Sequence, residues 1–414
     1  MLTSSISFRL GDLPQDIFFE ILDICGAHKG ALYNLSLTSK SIRDTCLPLL
    51  YRKVDLSTHN RGRLTEFEDD VCWEIWADAD GDYVPDDARL RQYSFLRTLT
   101  AHPEYGSFVR SFAWTLIWTG SFNTTSKLED IEFAVWDVFT SLTNVQDLDL
   151  ASLHYNFLEP FVRQNPPRLF SSAVRVRLLG WMHRGLVTSI LYSVDPSKLA
   201  HLALDNLQDE GQYPDGSPMM FEDGENVRDH TETVNPDGSH GFVFPGPMRN
   251  ILKPLEGCFT ALKYLLLRKA GQQEIDHMLS PVPGWSPEID DAVYSEWASF
   301  LSSVKPTLEV FIFEHTRAPK WGGTGRCGRS RWRSRQRVRP MDERFRRLFL
   351  SVLLAGSWPR LQRLEIRGVG RWEGVPTLDE ETRVQLREAV GSRVVLVLEE
   401  EESRPCKKFN GFDC

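Results

Sequence analysis

The stretch LAHLALDNL, residues 199–207, has the pattern of a β-strand with one apolar face. Leu202 and Leu204 alternate with His201, Ala203 and Asp205, and a period of two is typical of a strand that buries one side. Runs of similar character recur at SFVRSFAWTL (107–116), LTNVQDLDL (142–150), AVRVRLLG (173–180), FTALKYLLL (259–267), TLEVFIFEH (307–315) and LQRLEIRGV (361–369). The chain therefore repeats one kind of strand along most of its length.

The segments between these runs have helical periodicity. Examples are KLEDIEFAVWDVFTSL (127–142), DAVYSEWASFLSSV (291–304) and DERFRRLFLSVLLAG (342–356). Strands that alternate with helices predict right-handed crossovers and a parallel sheet, hence an α/β fold.

Two of the runs resemble the core of a leucine-rich repeat, L-x-x-L-x-L. Leu199, Leu202 and Leu204 match it, as do Leu361, Leu364 and Ile366. Repetition of such a unit favours an irregular, leucine-rich-repeat-like αβ solenoid with parallel strands. Because the spacing between runs is uneven, a compact α/β domain remains an alternative.

The N-terminal stretch LGDLPQDIFFEILDI, residues 10–24, predicts a helix with a wide apolar stripe. Pro14 suits the first turn, and Ile17, Ile21 and Ile24 recur at helical spacing. Residues 31–54 predict two further short helices, and Pro48 is expected to disturb the last one. So small a unit has apolar surface to spare, which predicts docking onto a partner or onto the rest of the chain.

The ordered elements LP-x-D-I-F-F-E-I-L, L-x-x-L-S-L-T-S-K-S-I-R-D and P-L-L-Y-R-K-V-D-L resemble an F-box of the form common in fungal proteins. The resemblance implies a three-helix module that binds the Skp-family adaptor of cullin–RING ubiquitin ligases. It assigns adaptor binding to Leu13, Pro14, Ile17, Ile21, Leu22, Leu35, Ser36, Ser39 and Lys40. The alternative is that these residues attach the helices to the following domain.

The predicted organisation has four parts. They are an F-box at 8–54, an acidic linker and connecting helix at 55–100, a leucine-rich-repeat-like substrate domain at 101–400, and a tail at 401–414. Loop insertions are expected at about 208–247 and 317–341, where Gly, Pro and charged residues replace apolar periodicity.

In a curved solenoid, the residues between the buried leucines would line the concave face and contact a protein substrate. The sequence nominates Asp147, Asp149, His201, Asp205, Tyr264, Arg268, Glu314, Arg363, Glu365 and Arg367. The alternative is that they form the hydrated side of a sheet.

Composition and the motifs that are missing argue against several classes of function. A net charge of -9 argues against a protein dominated by nucleic-acid binding. Seven cysteines without a CxxC pair predict reduced thiols in the cytoplasm or nucleus. No secretory signal, membrane span, HExxH or GxSxG pattern is visible, so we expect no membrane association, no metal or other cofactor, and no catalysis by this chain.

Residues 317–347 hold twelve Lys and Arg against two acidic residues. Three interpretations remain open: an exposed charged loop, a translated intron or other gene-model error, or a segment at 326–347 that binds RNA, DNA or an acidic protein. The sequence thus favours a substrate-recognition subunit of an SCF-type ligase. The alternatives are an F-box interaction protein that acts outside ligases and a nucleic-acid-binding protein.

Overall fold

Strands account for most of the regular structure. They are β1 (Lys53–Leu56), β2 (Ser111–Leu116), β3 (Asp147–Ser152), β4 (Arg175–Met182), β5 (His201–Asp209), β6 (Gly246–Pro247), β7 (Tyr264–Ala270), β8 (Val310–Thr316), β9 (Arg363–Arg367), β10 (Arg371–Trp372), β11 (Val375–Pro376) and β12 (Val395–Glu399). Each of the seven runs predicted as strands overlaps one of these.

The computed structural model describes residues 14, 17, 20–22, 24, 28–57, 59, 86–116, 138–152, 167–209, 246–270, 287–316, 343–369, 371–372, 375–376 and 378–399. The predicted tail and most of both predicted insertions lie outside these residues.

One sheet joins the strands in chain order, β1-β2-β3-β4-β5-β7-β8-β9-β12, and all eight pairings along this path are parallel. β6 adds an antiparallel partner to β5, and β10 pairs with β11 separately. The order does not reverse anywhere among the described strands. The predicted α/β class and parallel strands are therefore confirmed.

The described helices are α1 (Lys29–Ser36), α2 (Lys40–Tyr51), α3 (Asp86–Ala101), α4 (Arg184–Leu191), α5 (Pro287–Val304), α6 (Leu350–Leu354) and α7 (Glu380–Val390). A 3₁₀ helix spans Pro103–Phe108, a π-helical turn spans Phe345–Phe349, and residues 17, 20–22 and 24 are also helical. The expectation that Pro48 would disturb the helix is wrong, because α2 continues through it to Tyr51.

The large core lies on one face of the sheet, between alternate strand residues and helices α3 to α7. Leu202, Leu204, Leu265, Leu267 and Phe313 contribute to it from the central strands. The opposite face, called the second face below, carries a small apolar cluster of Ala203, Tyr264, Leu266 and Ile312, with Val310 beside it. The charged residues of the strands are concentrated on this second face.

The predicted boundary at residue 54 falls inside β1, which pairs with β2 through Val54 and Phe112. The end of the predicted F-box segment is therefore the first strand of the sheet. Near the other end, β12 adds a strand that the sequence reading did not assign.

Candidate functional site

The N-terminal module consists of the described residues between 14 and 24 together with α1 and α2, and it has a small core of its own. Leu22, Leu32 and Cys46 are fully buried, and they form a cluster separate from the large core. The half-buried side chains that pack against this cluster are Leu35, Ile42, Leu49 and Leu50. The module is thus held together by few large side chains.

Three of the predicted adaptor-binding residues stabilise the module itself. The Ser39 hydroxyl accepts a hydrogen bond from the Ile42 N–H at 3.2 Å and so caps α2. The Ser36 hydroxyl donates to the Tyr33 carbonyl at 2.6 Å, and Leu22 belongs to the small core. Contact between these residues and a partner stays a prediction.

Other apolar side chains of the module are exposed. Ile17 is 41% exposed, Ile24 68%, Tyr33 58% and Leu37 67%. Of the remaining predicted residues, Pro14 and Lys40 are exposed, Ile21 and Leu35 are half-buried, and Leu13 lies outside the described residues. The predicted set does not include Ile24, although Ile24 is more exposed than Ile17 and follows it at helical spacing.

A junction joins the module to the sheet. The Lys29 ammonium donates to the Lys53 carbonyl at 2.7 Å, and burial lowers the pKa of Lys29 although Asp55 opposes the shift. A cavity of about 540 Å³ lies between α2 and the amino ends of β1 to β3, with Phe108 and Asp147 among its lining residues.

All ten residues predicted to contact substrate lie on the second face, because each alternates with a residue of the large core. The register brings four of them side by side on adjacent strands: Asp205, Arg268, Glu314 and Arg367. The fold therefore brings together residues that are far apart in sequence.

These four residues form the centre of a buried row of alternating charges. Arg268 donates to both carboxylate oxygens of Asp205 at 3.0 and 2.9 Å, and to Glu314 Oε2 at 3.1 Å. Arg177 Nη2 donates to Asp205 Oδ2 at 2.8 Å from the other side. Four residues of this row are almost completely buried, with at most 2% of each residue exposed: Arg177, Asp205, Arg268 and Glu314.

The row continues in both directions. Arg367 lies 3.6 Å from Glu314 and also pairs with Glu365, which in turn contacts Arg363. At the opposite end, Arg177 lies 3.8 Å from Asp149. The term charge ladder is used below for Asp149, Arg177, Asp205, Arg268, Glu314, Arg367 and Glu365.

His59 closes the ladder beyond Asp149. Its Nε2 lies 3.1 Å from Asp149 Oδ1, and its Nδ1 lies 2.7 Å from the Thr115 hydroxyl. Neither His59 nor Arg177 was among the predicted residues. Arg177 could have been found from its alternation with Val176 and Leu178, but His59 has no comparable pattern around it.

Charge pairing shifts the pKa values of Asp205 and Arg268 at the centre of the ladder. Burial alone would raise the pKa of Asp205, but the charges of Arg268 and Arg177 outweigh it and lower the pKa. Burial alone would lower the pKa of Arg268, but Asp205 and Glu314 raise it. Both groups are therefore stabilised in their charged forms, so Asp205 and Arg268 form an ion pair at the centre of the ladder.

Four of the ten predicted residues are half-buried. Arg367 is held in the charge ladder, whereas Asp147, His201 and Arg363 lie in one row at the amino ends of their strands. His201 stacks on Tyr264 with 5.5 Å between ring centroids, and burial followed by the nearby Arg175 charge lowers the pKa of His201. These three are the predicted residues best placed to touch another molecule.

Only the last five residues of the Arg-rich segment are described. Arg344 Nε contacts Asp291 at 2.8 Å, and Arg347 Nη2 contacts the same carboxylate at 2.7 Å. These two arginines therefore support the contact with α5, and nucleic-acid binding by the rest of the segment stays a prediction.

Neither comparison with known proteins nor a search of the described residues for metal-binding side chains identifies a function for this chain. No protein-family model matches this chain, and no curated protein matches it significantly. Within the described ranges, no three His, Cys, Asp or Glu side chains are grouped as a metal site would require. The helices of those ranges also include none with the length and apolar character needed to cross a bilayer.

Proposed function

We propose that this chain is a substrate-recognition subunit of an SCF-type cullin–RING ubiquitin ligase, with the N-terminal module as its F-box. The observation that carries the proposal is the exposure of Ile17 and Ile24 on a module that has its own core. An apolar stripe that served only to attach the module to the sheet would be covered by the sheet. The F-box-like sequence motifs supply the identity of the partner, a Skp-family adaptor.

Docking would bury these side chains against the adaptor. Each large apolar side chain removed from water contributes about 1.5–3 kcal/mol, so two or three of them are enough to matter for affinity. The chain would act by proximity, since holding a substrate near a ubiquitin carrier raises its effective concentration. No catalytic residue is then required, and the complex would act in the cytoplasm or nucleus.

The sheet would present the substrate-binding surface as a leucine-rich-repeat-like solenoid. Strands that follow one another in chain order, each parallel to the last, are what stacked repeat units produce. Asp147, His201 and Arg363 would contact the substrate because they are accessible, while the buried ladder would hold the strands in register. The sequence predicted substrate contact for all ten residues, whereas the proposal gives substrate contact to the accessible residues and a structural role to the buried ladder.

The test is direct binding of the purified chain to a recombinant Skp-family adaptor. The variant Ile17→Asp/Ile24→Asp should weaken binding by on the order of 100-fold, because two apolar contacts are replaced by charges. The control is Val384→Asp on α7, where an apolar side chain about as exposed as Ile17 is replaced by the same charge, and this variant should bind as the unaltered chain does. Unchanged affinity of the Ile17→Asp/Ile24→Asp variant, with the module still folded, would refute the proposal.

The alternative function is that of an F-box protein that binds the adaptor outside a ligase. One measurement, co-purification of a cullin, distinguishes it from the proposed function. Co-purification of a cullin with the chain supports the ligase, and recovery of the adaptor without a cullin supports the alternative.

A further inference from the structure

The two edges of the parallel sheet differ in how their backbone groups are satisfied. At the β1 edge, the Arg52 carbonyl faces β2, where it accepts from Ser111 N at 3.0 Å. The next carbonyl, that of Lys53, therefore faces away from β2, and it accepts from the Lys29 ammonium. A lysine placed in this way protects an edge strand against pairing with another chain.

The β12 edge has no such protection among the described residues. Val395 N donates to Gln362 O at 2.8 Å, and Val395 pairs with Arg363 of β9. Because alternate residues of a strand direct their backbone groups to opposite sides, Val394, Leu396 and Leu398 direct theirs away from β9. In the described part of the sheet, β12 has β9 as its neighbour on one side and no strand on the other.

The side chains of this edge are apolar and incompletely covered. Val395 is 58% exposed, and Leu396 and Leu398 are only half-buried although they face the large core. The strand reads VVLVL between Arg393 and Glu399. An apolar edge on which Leu396 and Leu398 direct their backbone groups away from the neighbouring strand is a template for a further strand.

We propose that β12 pairs antiparallel with β12 of a second copy of this chain, which makes one continuous sheet across a two-fold axis. The sequence around the edge is self-complementary in charge. With Leu396 opposite its own counterpart, Arg393 of each copy faces Glu399 of the other, and Val395 faces Val397.

The backbone directions are compatible with this register. A two-fold axis at Val395 or Val397 would bring together residues whose backbone groups are already bonded to β9. With the axis at Leu396, the N–H and carbonyl of Leu396 bond the same groups of the second copy, and the Leu398 N–H meets the Val394 carbonyl, while the Val394 N–H keeps its bond to the Gly391 carbonyl at 3.2 Å. This register is also the one that places Arg393 opposite Glu399, so hydrogen bonding and charge agree.

The test is sedimentation velocity of the full chain across a concentration series, with charge-swap variants. The intact chain should dimerise below about 100 μM. Arg393→Glu alone and Glu399→Arg alone should each raise the dissociation constant by on the order of tenfold, since each places like charges opposite one another twice per dimer. The double variant should restore dimerisation, because opposite charges face each other again.

Two further variants complete the design. Val395→Lys should weaken the dimer while leaving the fold intact, because this side chain is largely exposed in the monomer. Glu388→Arg, an equivalent charge change at an exposed position of α7, should have no effect on assembly. A monomer at about 100 μM would overturn the proposal. So would a dimer that ignores Val395→Lys, a double variant that is not rescued, or an edge that pairs only with a peptide of another protein. None of these results bears on adaptor binding by Ile17 and Ile24.

Discussion

Arg268 occupies the middle of the charge ladder, between Asp205 and Glu314, and it is almost completely buried. Moving such charges out of water is costly, so buried ion pairs are weak evidence for stability in themselves. Their effect on register is clearer. A slip of β7 by one residue would turn Arg268 toward the apolar core, so the ladder disfavours every neighbouring register.

Removal of Arg268 should be severely destabilising. Arg268→Met fills the space but leaves the Asp205 and Glu314 carboxylates undercompensated, which should lower the free energy of unfolding by about 3–5 kcal/mol. Urea unfolding followed by circular dichroism measures the change. The control is Arg43→Met, which removes an arginine from an exposed pair whose side chains are 52% and 58% exposed, and it should cost no more than about 1 kcal/mol. Equal costs for the two variants would contradict the importance of burial.

The lowered pKa of Asp205 predicts a pH dependence of stability. Its folded pKa lies below the unfolded value of about 3.9, so its charge stabilises the fold above about pH 4 and this stabilisation is lost as the pH falls through the folded pKa. The cost of Asp205→Asn should therefore be constant from about pH 7 to 5 and shrink below about pH 4. Unfolding measurements across this range provide the test.

Leu204→Ala is the control for that experiment. It removes a buried, uncharged side chain from the same strand, so its cost should not vary with pH. A pH-independent cost of Asp205→Asn would show that the ion pairs of Asp205 do not stabilise the fold.

At the scale of elements, alternation made the seven internal strands predictable, because a half-buried strand shows a period of two. Two strands on the parallel path of the sheet were not predicted. The sequence VVLVL at β12 is a continuous apolar run without alternation, and β1 has only four residues. The ladder could not be derived from sequence, since Asp205 and Arg268 are 63 residues apart and their pairing depends on strand order and register. The sequence predicted that the candidate residues share one face of the sheet. It did not predict that most of them are buried there.

Gly368 follows β9 at a point where two strands approach closely. Its φ is +70°, and a Cβ there would lie 1.9 Å from the His315 carbonyl oxygen. Gly368→Ala should therefore destabilise the chain by more than the cost of the backbone conformation alone, which is about 1–3 kcal/mol. Gly356→Ala is the matched control, because Gly356 has the same φ and no atom within 4 Å of the added Cβ. Thermal unfolding of both variants should show the larger decrease for Gly368→Ala.

At the scale of the whole molecule, two cores of very different size share one chain. The small core of Leu22, Leu32 and Cys46 is separate from the large core, and the ring pair Tyr51–Tyr105, with centroids 5.4 Å apart, lies where the two regions meet. Sequence periodicity predicted that the N-terminal helices form a unit with spare apolar surface. It could not predict that Leu22 points inward while Ile17 and Ile24 remain exposed, because all three belong to one wide stripe.

Separate cores predict separate unfolding. Leu32→Ala leaves a cavity in the small core and should cost the N-terminal module about 2–5 kcal/mol, which is more than so small a unit can lose without opening. Hydrogen exchange should therefore accelerate strongly in α1 and α2, while amides of β5 and β7 keep their protection. Leu204→Ala should produce the reverse pattern, with faster exchange in the sheet. Because the adaptor would recognise the folded module, Leu32→Ala should also abolish adaptor binding. Uniform acceleration throughout the chain by Leu32→Ala would mean that the module and the sheet unfold as one unit, and the N-terminal helices would then be an integral part of the sheet domain.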